Sequence, residues 1–108
     1  MFLGLDISIK TEELNYNNQA LYSAVDEVLH YIWDPIGVSG VPQARDEYRF
    51  YVPHVFNLLH NGASKESICA YLRSIVTERM GVSANPPHDI EVVSVLVAWK
   101  ESLDEKNA

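Results

Sequence analysis

Between Asn18 and Trp33 the apolar residues stand at Leu21, Val25, Val28, Leu29 and Ile32. Offsets of 4, 7, 8 and 11 from Leu21 put all five on one stripe of an α-helix, and such a stripe faces a core. Asp26 and His30 fall on the opposite face, which reads as a solvated one. Asp34-Pro35 stops the helix, because the residue before a proline disfavours the α region. Pro35 to Pro42, carrying Gly37, Ser39 and Gly40, is a loop by composition.

Three further helices are predicted. The second runs from about Ala44 to His60, with Tyr48, Val52, Val55, Phe56 and Leu59 on one side. Pro53 lies inside it, removes a backbone donor and crowds the Arg49 carbonyl, so a bend or a restart is expected there. Asn61-Gly62 tolerates a left-handed cap. Ser64 then caps a third helix, with Glu66 in its first turn and a stripe of Ile68, Leu72, Ile75 and Val76 widened by Tyr71; Gly81 ends it. Asn85 to Pro87 read as a rigid linker. Ile90 to Leu103 is rich in β-branched residues, as a strand would be. Its length, Asp89 as an available cap and the Ile90, Val93, Leu96, Val97 spacing favour a largely buried helix instead.

The start differs. Leu5, Ile7 and Ile9 alternate with Asp6 and Ser8, a strand pattern, and one strand is not stable alone. It either lies as an arm across the helices or pairs with its copy in a homodimer. The expectation is an all-α fold in a single domain over residues 1–108: an extended arm at 1–16, a compact bundle of about four helices over 17–103, and a frayed polar tail at 104–108. A chain of 108 residues supports one core without staples. The lone Cys69 excludes an internal disulfide, and no leader or membrane-spanning pattern is visible, which points to the cytoplasm.

Fifteen acidic against eight basic residues give a net charge of -7. The surplus is uneven: residues 1–44 hold Asp6, Glu12, Glu13, Asp26, Glu27 and Asp34 against Lys10 alone. Such a field repels nucleic acid and anionic lipid and attracts cationic partners, although it also serves simple solubility. Motifs for chemistry are missing. His30, His54, His60 and His88 show no metal-ligand spacing, and the i, i+4, i+8 line of Asp26, His30 and Asp34 reads better as a polar surface than as a metal site. Cys69 sits at the edge of an apolar stripe, where a small buried hydrophobe is the default. The adjacent carboxylates Glu12-Glu13, Asp26-Glu27 and Asp46-Glu47 point about 100° apart on a helix and form no acid/base pair. No catalytic residue, cofactor or metal is expected, and the chain does not read as an enzyme.

The most distinctive text is Trp33-Asp34-Pro35-Ile36-Gly37, followed by Asp46-Glu47-Tyr48. Read structurally, Asp46 and Glu47 sit in the first turn of the second helix, Asp34 caps or pairs with Arg45 or Arg79, and Trp33 and Tyr48 fill a corner between helices. The order helix, WDPIG, short loop, DEY, proline-bearing helix and fourth helix resembles a group of small bacterial helical proteins over roughly residues 20–100. Size, acidity and lack of catalytic motifs also resemble the immunity proteins of contact-dependent growth inhibition systems. That resemblance implies a cognate toxin domain as partner, often a nuclease, with no direct contact to nucleic acid. A nuclease needs a cationic groove for phosphates, and an inhibitor presents carboxylates and aromatic anchors to it. The charge asymmetry places that surface at Glu12, Glu13, Tyr16, Tyr22, Asp26, Glu27 and Asp34. The rival reading is a homo-oligomeric cytosolic scaffold or regulatory module unrelated to toxins.

Overall fold

A computed structural model of the chain describes residues 16–106. The extended arm, Glu12 and Glu13 lie outside the described residues, apart from Tyr16, which already belongs to the first helix. The expected all-α fold is present: four helices and no strand among the described residues. None of the helices is long and apolar enough to cross a membrane.

Helix α1 spans residues 16–28 and then widens into a π turn, Leu29–Trp33, closed by the Asp34 N–H donating to the Leu29 carbonyl at 3.0 Å. Leu21, Val25, Val28 and Leu29 are buried as their spacing predicts. The π turn then shifts the phase, because a turn closed at i−5 carries an extra residue. Trp33 takes the inward place expected of Ile32, which is exposed. His30, expected on a solvated face, is only 2% exposed, with its ring centre 4.5 Å from that of Tyr31 in an edge-on arrangement.

The long second helix of the sequence reading is in fact several shorter pieces. Pro42–Ala44 and Arg49–Tyr51 are single 3₁₀ turns, and α2 proper is Val52–His60. Of the bend or restart expected at Pro53, the restart occurs: the proline opens α2, at a position where no amide donor is needed. Asp46 and Glu47 consequently lie in an exposed turn ahead of α2 and not in its first turn. Gly62, at φ 74°, forms the left-handed cap, with its N–H on the Leu59 carbonyl and the Ala63 N–H on that of Leu58.

Helix α3, Lys65–Ser74, starts where the Ser64 hydroxyl accepts the Ser67 N–H at 3.1 Å, and it too ends in a π turn, Ile75–Arg79. Helix α4, Pro86–Lys106, is longer than expected at both ends. Pro86 and Pro87 are its first turn and not a linker, Asn85 caps it by accepting the His88 N–H, and residues 104–106 are helical. Its inward positions are Asp89, Val92, Val93, Leu96 and Leu103, so Asp89 is no cap and Ile90 faces solvent.

Helix α4 is the axis of the bundle: α3 packs along it, and α2 and the α1 π turn also rest on it. Asn17 Nδ2 donates to the Leu103 carbonyl at one end, while His88 reaches the Ile32 carbonyl at the other, so α1 and α4 run antiparallel. One cluster holds Leu29, Trp33, Val55, Ile68, Leu72, Val92 and Leu96 together. Leu29 is fully buried at its centre, and Leu29→Ala should cost about 2–5 kcal/mol. That is a large part of the stability of a domain of this size. A urea denaturation midpoint moved by less than 1 kcal/mol equivalent would show that the π turn is not packed as described.

Candidate functional site

The two π turns and the start of α4 converge on an open cleft of about 340 Å³. Trp33, Asp34 and Pro35 line it from the α1 side and Val76 from α3. Ser83 and Asn85, with His88 and Asp89 of α4, complete the wall. Widened helical turns of this kind occur frequently at functional sites, because the wider turn frees backbone groups and re-aims side chains.

The α1 side of the cleft is held by one carboxylate. Asp34 adopts a left-handed backbone, φ 33° and ψ 60°, which Asp tolerates better than most residues because its short side chain bonds locally. Its Oδ1 accepts the Val38 N–H at 2.7 Å and the Tyr48 hydroxyl at 2.7 Å, and its Oδ2 accepts the Ser39 N–H at 3.1 Å. The Tyr48 oxygen in turn accepts the Ile36 N–H at 3.2 Å. Burial acts to raise the Asp34 pKa, but the bonds from Tyr48, Val38 and Ser39 outweigh it and hold the carboxyl below its ordinary value. Burial, with the neighbouring Asp34 charge adding to it, pushes the Tyr48 phenol far above its ordinary range, so it remains a donor at any physiological pH.

Two further contacts lock the frame. Asp26 takes a bidentate pair from Arg45, both bonds 3.1 Å, with Arg49 Nε 3.7 Å away. The Arg45 guanidinium also lies 5.3 Å from the Tyr31 ring centre. His88 Nε2 lies 2.8 Å from the Ile32 carbonyl oxygen and 3.1 Å from that of Trp33. Carbonyls only accept, so Nε2 carries the proton and serves two acceptors left open at the end of α1.

Asp89 differs from these acids. It is 3% exposed, and its Oδ2 has no hydrogen-bond partner among the described residues. Burial raises its pKa despite the opposing influence of Arg73, His88 and the Trp33 side chain. Arg73 acts through space, since no ion pair joins it to Asp89. Arg73 lines a neighbouring groove with Cys69, whose thiol is pushed up in pKa by burial first and by Asp89 second; a thiol held protonated is a poor nucleophile.

The residues singled out from the sequence are thus divided. Tyr16, Tyr22 and Glu27 are exposed on α1, whereas Asp26 and Asp34 are engaged inside the fold. Arg45 pairs with Asp26 and not with Asp34, and Arg79 lies over the Phe50 and Tyr51 rings. The line of Asp26, His30 and Asp34, expected as a solvated polar surface, is instead drawn into the fold, with His30 buried and both acids bonded, and the described residues hold no cluster of three His, Cys, Asp or Glu able to bind a metal ion. Asp89 was missed as a site residue. Its signal was present, since it precedes Val92, Val93 and Leu96 at the spacing of one buried stripe. Compared with known proteins, the chain matches no family model, no curated protein and no solved structure.

Asp34→Asn keeps the side-chain shape and the tolerance for a left-handed backbone but removes the charge. A folded-state pKa below the unfolded value of about 3.9 contributes stability that is present above that value and lost as pH falls through the folded one. The variant should be less stable by about 1.5–3 kcal/mol at pH 7, with the gap closing as the pH drops below 4. Parallel urea midpoints for the two proteins from pH 7 to pH 3 would contradict this.

Proposed function

We propose that this chain is a protein-binding module of the immunity type, which docks on a cationic toxin domain and covers the groove that the toxin needs for its substrate. What supports the reading is the outer face of α1. Tyr16, Gln19, Ser23, Glu27 and Tyr31 follow one another at helical spacing and are all exposed, with Tyr22 beside them. Tyr16 is 71% exposed and Tyr31 57%, although both are large aromatics that a core would readily take. Neither Glu27 nor Asp46 nor Glu47 has an ion-pair partner among the described residues.

Exposed tyrosines beside the free carboxylate of Glu27 suit a binding surface for a basic protein. Tyrosine supplies contact area at low entropic cost and dominates interface energies. The acidic surplus, which is largest in the first half of the chain, steers a cationic partner and speeds capture. Two cations lie close to this face, Arg45 and Arg49, and both are turned towards Asp26. In this reading the chain works in the cytoplasm and inhibits by occlusion. It needs neither nucleic acid nor a membrane and performs no reaction of its own.

Asp26 is a poor test of the surface, because its loss would release Arg45. Glu27 is better placed, being exposed and without an ion pair among the described residues, and Tyr31 is exposed beside it although its ring also meets His30 and the Arg45 guanidinium. Co-expression with a toxin domain encoded directly upstream should restore growth, and failure to protect would contradict the reading. Glu27→Lys combined with Tyr31→Ala should weaken toxin binding by more than tenfold in a calorimetric or surface-capture measurement. Protection with unchanged affinity in that variant would move the interface off α1.

A further inference from the structure

Asp89 presents a problem that the fold does not solve. A buried carboxylate ordinarily has its oxygens met by donors, and leaving one unmet is destabilising. Here the described residues supply none to Oδ2, although the residue lines an open cleft. The other two acids near the α1–α4 junction are treated differently: Asp34 receives three hydrogen bonds and Asp26 a bidentate arginine. An unmet acceptor at the buried end of a cleft is the arrangement expected of a site whose donor comes from outside.

From this geometry we infer that the cleft is a receptor for one organic cation, an alkyl-guanidinium or alkyl-ammonium group whose head meets Asp89. The lining suits that chemistry. Asp34 adds a second negative charge on the opposite wall, and Ser83 adds a hydroxyl at the rim. Trp33, Pro35 and Val76 offer apolar surface to an alkyl stem. The volume of about 340 Å³ lies at the small end of the range for ligand sites, about 300–1,000 Å³, as a single side-chain-sized group requires. An anion is disfavoured, because the first two residues of α4 are prolines without N–H groups and both acids face the cleft.

The same cation can come from a free amine or from a lysine or arginine of a bound protein. Both sources are tested without any toxin present, so the outcome does not depend on the α1 surface. The full chain, labelled with ¹⁵N, is titrated with agmatine, with N-acetyl-arginine methylamide and with neutral N-butylurea. The two cations should shift the Trp33 indole N–H and the Ser83 and Asp89 amide signals in a saturable way, and butylurea should not. Asp89→Asn should weaken cation binding at least tenfold, while Glu27→Gln leaves it unchanged. Should Asp89→Asn fail to fold, Ser83→Arg, at an exposed rim position, should abolish binding by filling the cleft. Tighter binding of agmatine identifies a free amine as the source, and tighter binding of the blocked arginine identifies a protein side chain. Shifts that never saturate, equal shifts with butylurea, or undiminished binding in either cleft variant would overturn the inference.

Discussion

The Asp34 carboxylate stands where α1, the loop after it and the turn before α2 meet, and it holds all three through hydrogen bonds to Val38, Ser39 and Tyr48. Charged acceptors make hydrogen bonds of about 1.5–3 kcal/mol, roughly twice the usual strength, so this one group outweighs the strain of its left-handed backbone. Tyr48 carries the effect inward: its hydroxyl serves the loop while its ring centre lies 5.3 Å from that of Trp33. Trp33 in turn forms both core and cleft wall. Because Tyr48 is buried, the loop cannot shift without disturbing the core.

That chain of contacts explains which parts of the molecule were legible in its sequence. Helix periodicity located Leu21, Val25 and Val28, and Val52, Val55 and Leu59, because a regular stripe survives any modest change in helix ends. The Ser64 cap and the left-handed Gly62 were readable because both are local. Phase errors began at the π turn, where Trp33 replaced Ile32 and His30 turned inward, since no local pattern announces an i−5 closure. Pro53 was ambiguous for a similar reason, as the same residue breaks a helix or opens one depending on the preceding turn.

The site was less legible than the fold. Asp26 and Asp34 carry the negative charge expected of a docking surface, but their partners lie 19 and 14 residues away and only folding reveals them. Charge composition does not separate an acid engaged inside the molecule from one left free. The structure makes that separation: Asp26 and Asp34 organise the frame, Glu27, Asp46 and Glu47 remain outside, and Asp89 is buried without a partner for Oδ2. The proposed recognition of a basic protein uses the second group, and the cation cleft uses the third.

Two carboxylates on opposite walls of one cleft therefore differ in how far the fold compensates them, and that difference separates frame from site. Site-resolved titration of the aspartate side chains by ¹³C NMR tests it directly. Asp34, supplied with donors, should titrate below the ordinary value of about 3.9, and Asp89, buried and with its Oδ2 unmet, should titrate above it. An Asp89 midpoint at or below the ordinary value would mean that its charge is already compensated within the fold, and the division of roles described above would be wrong.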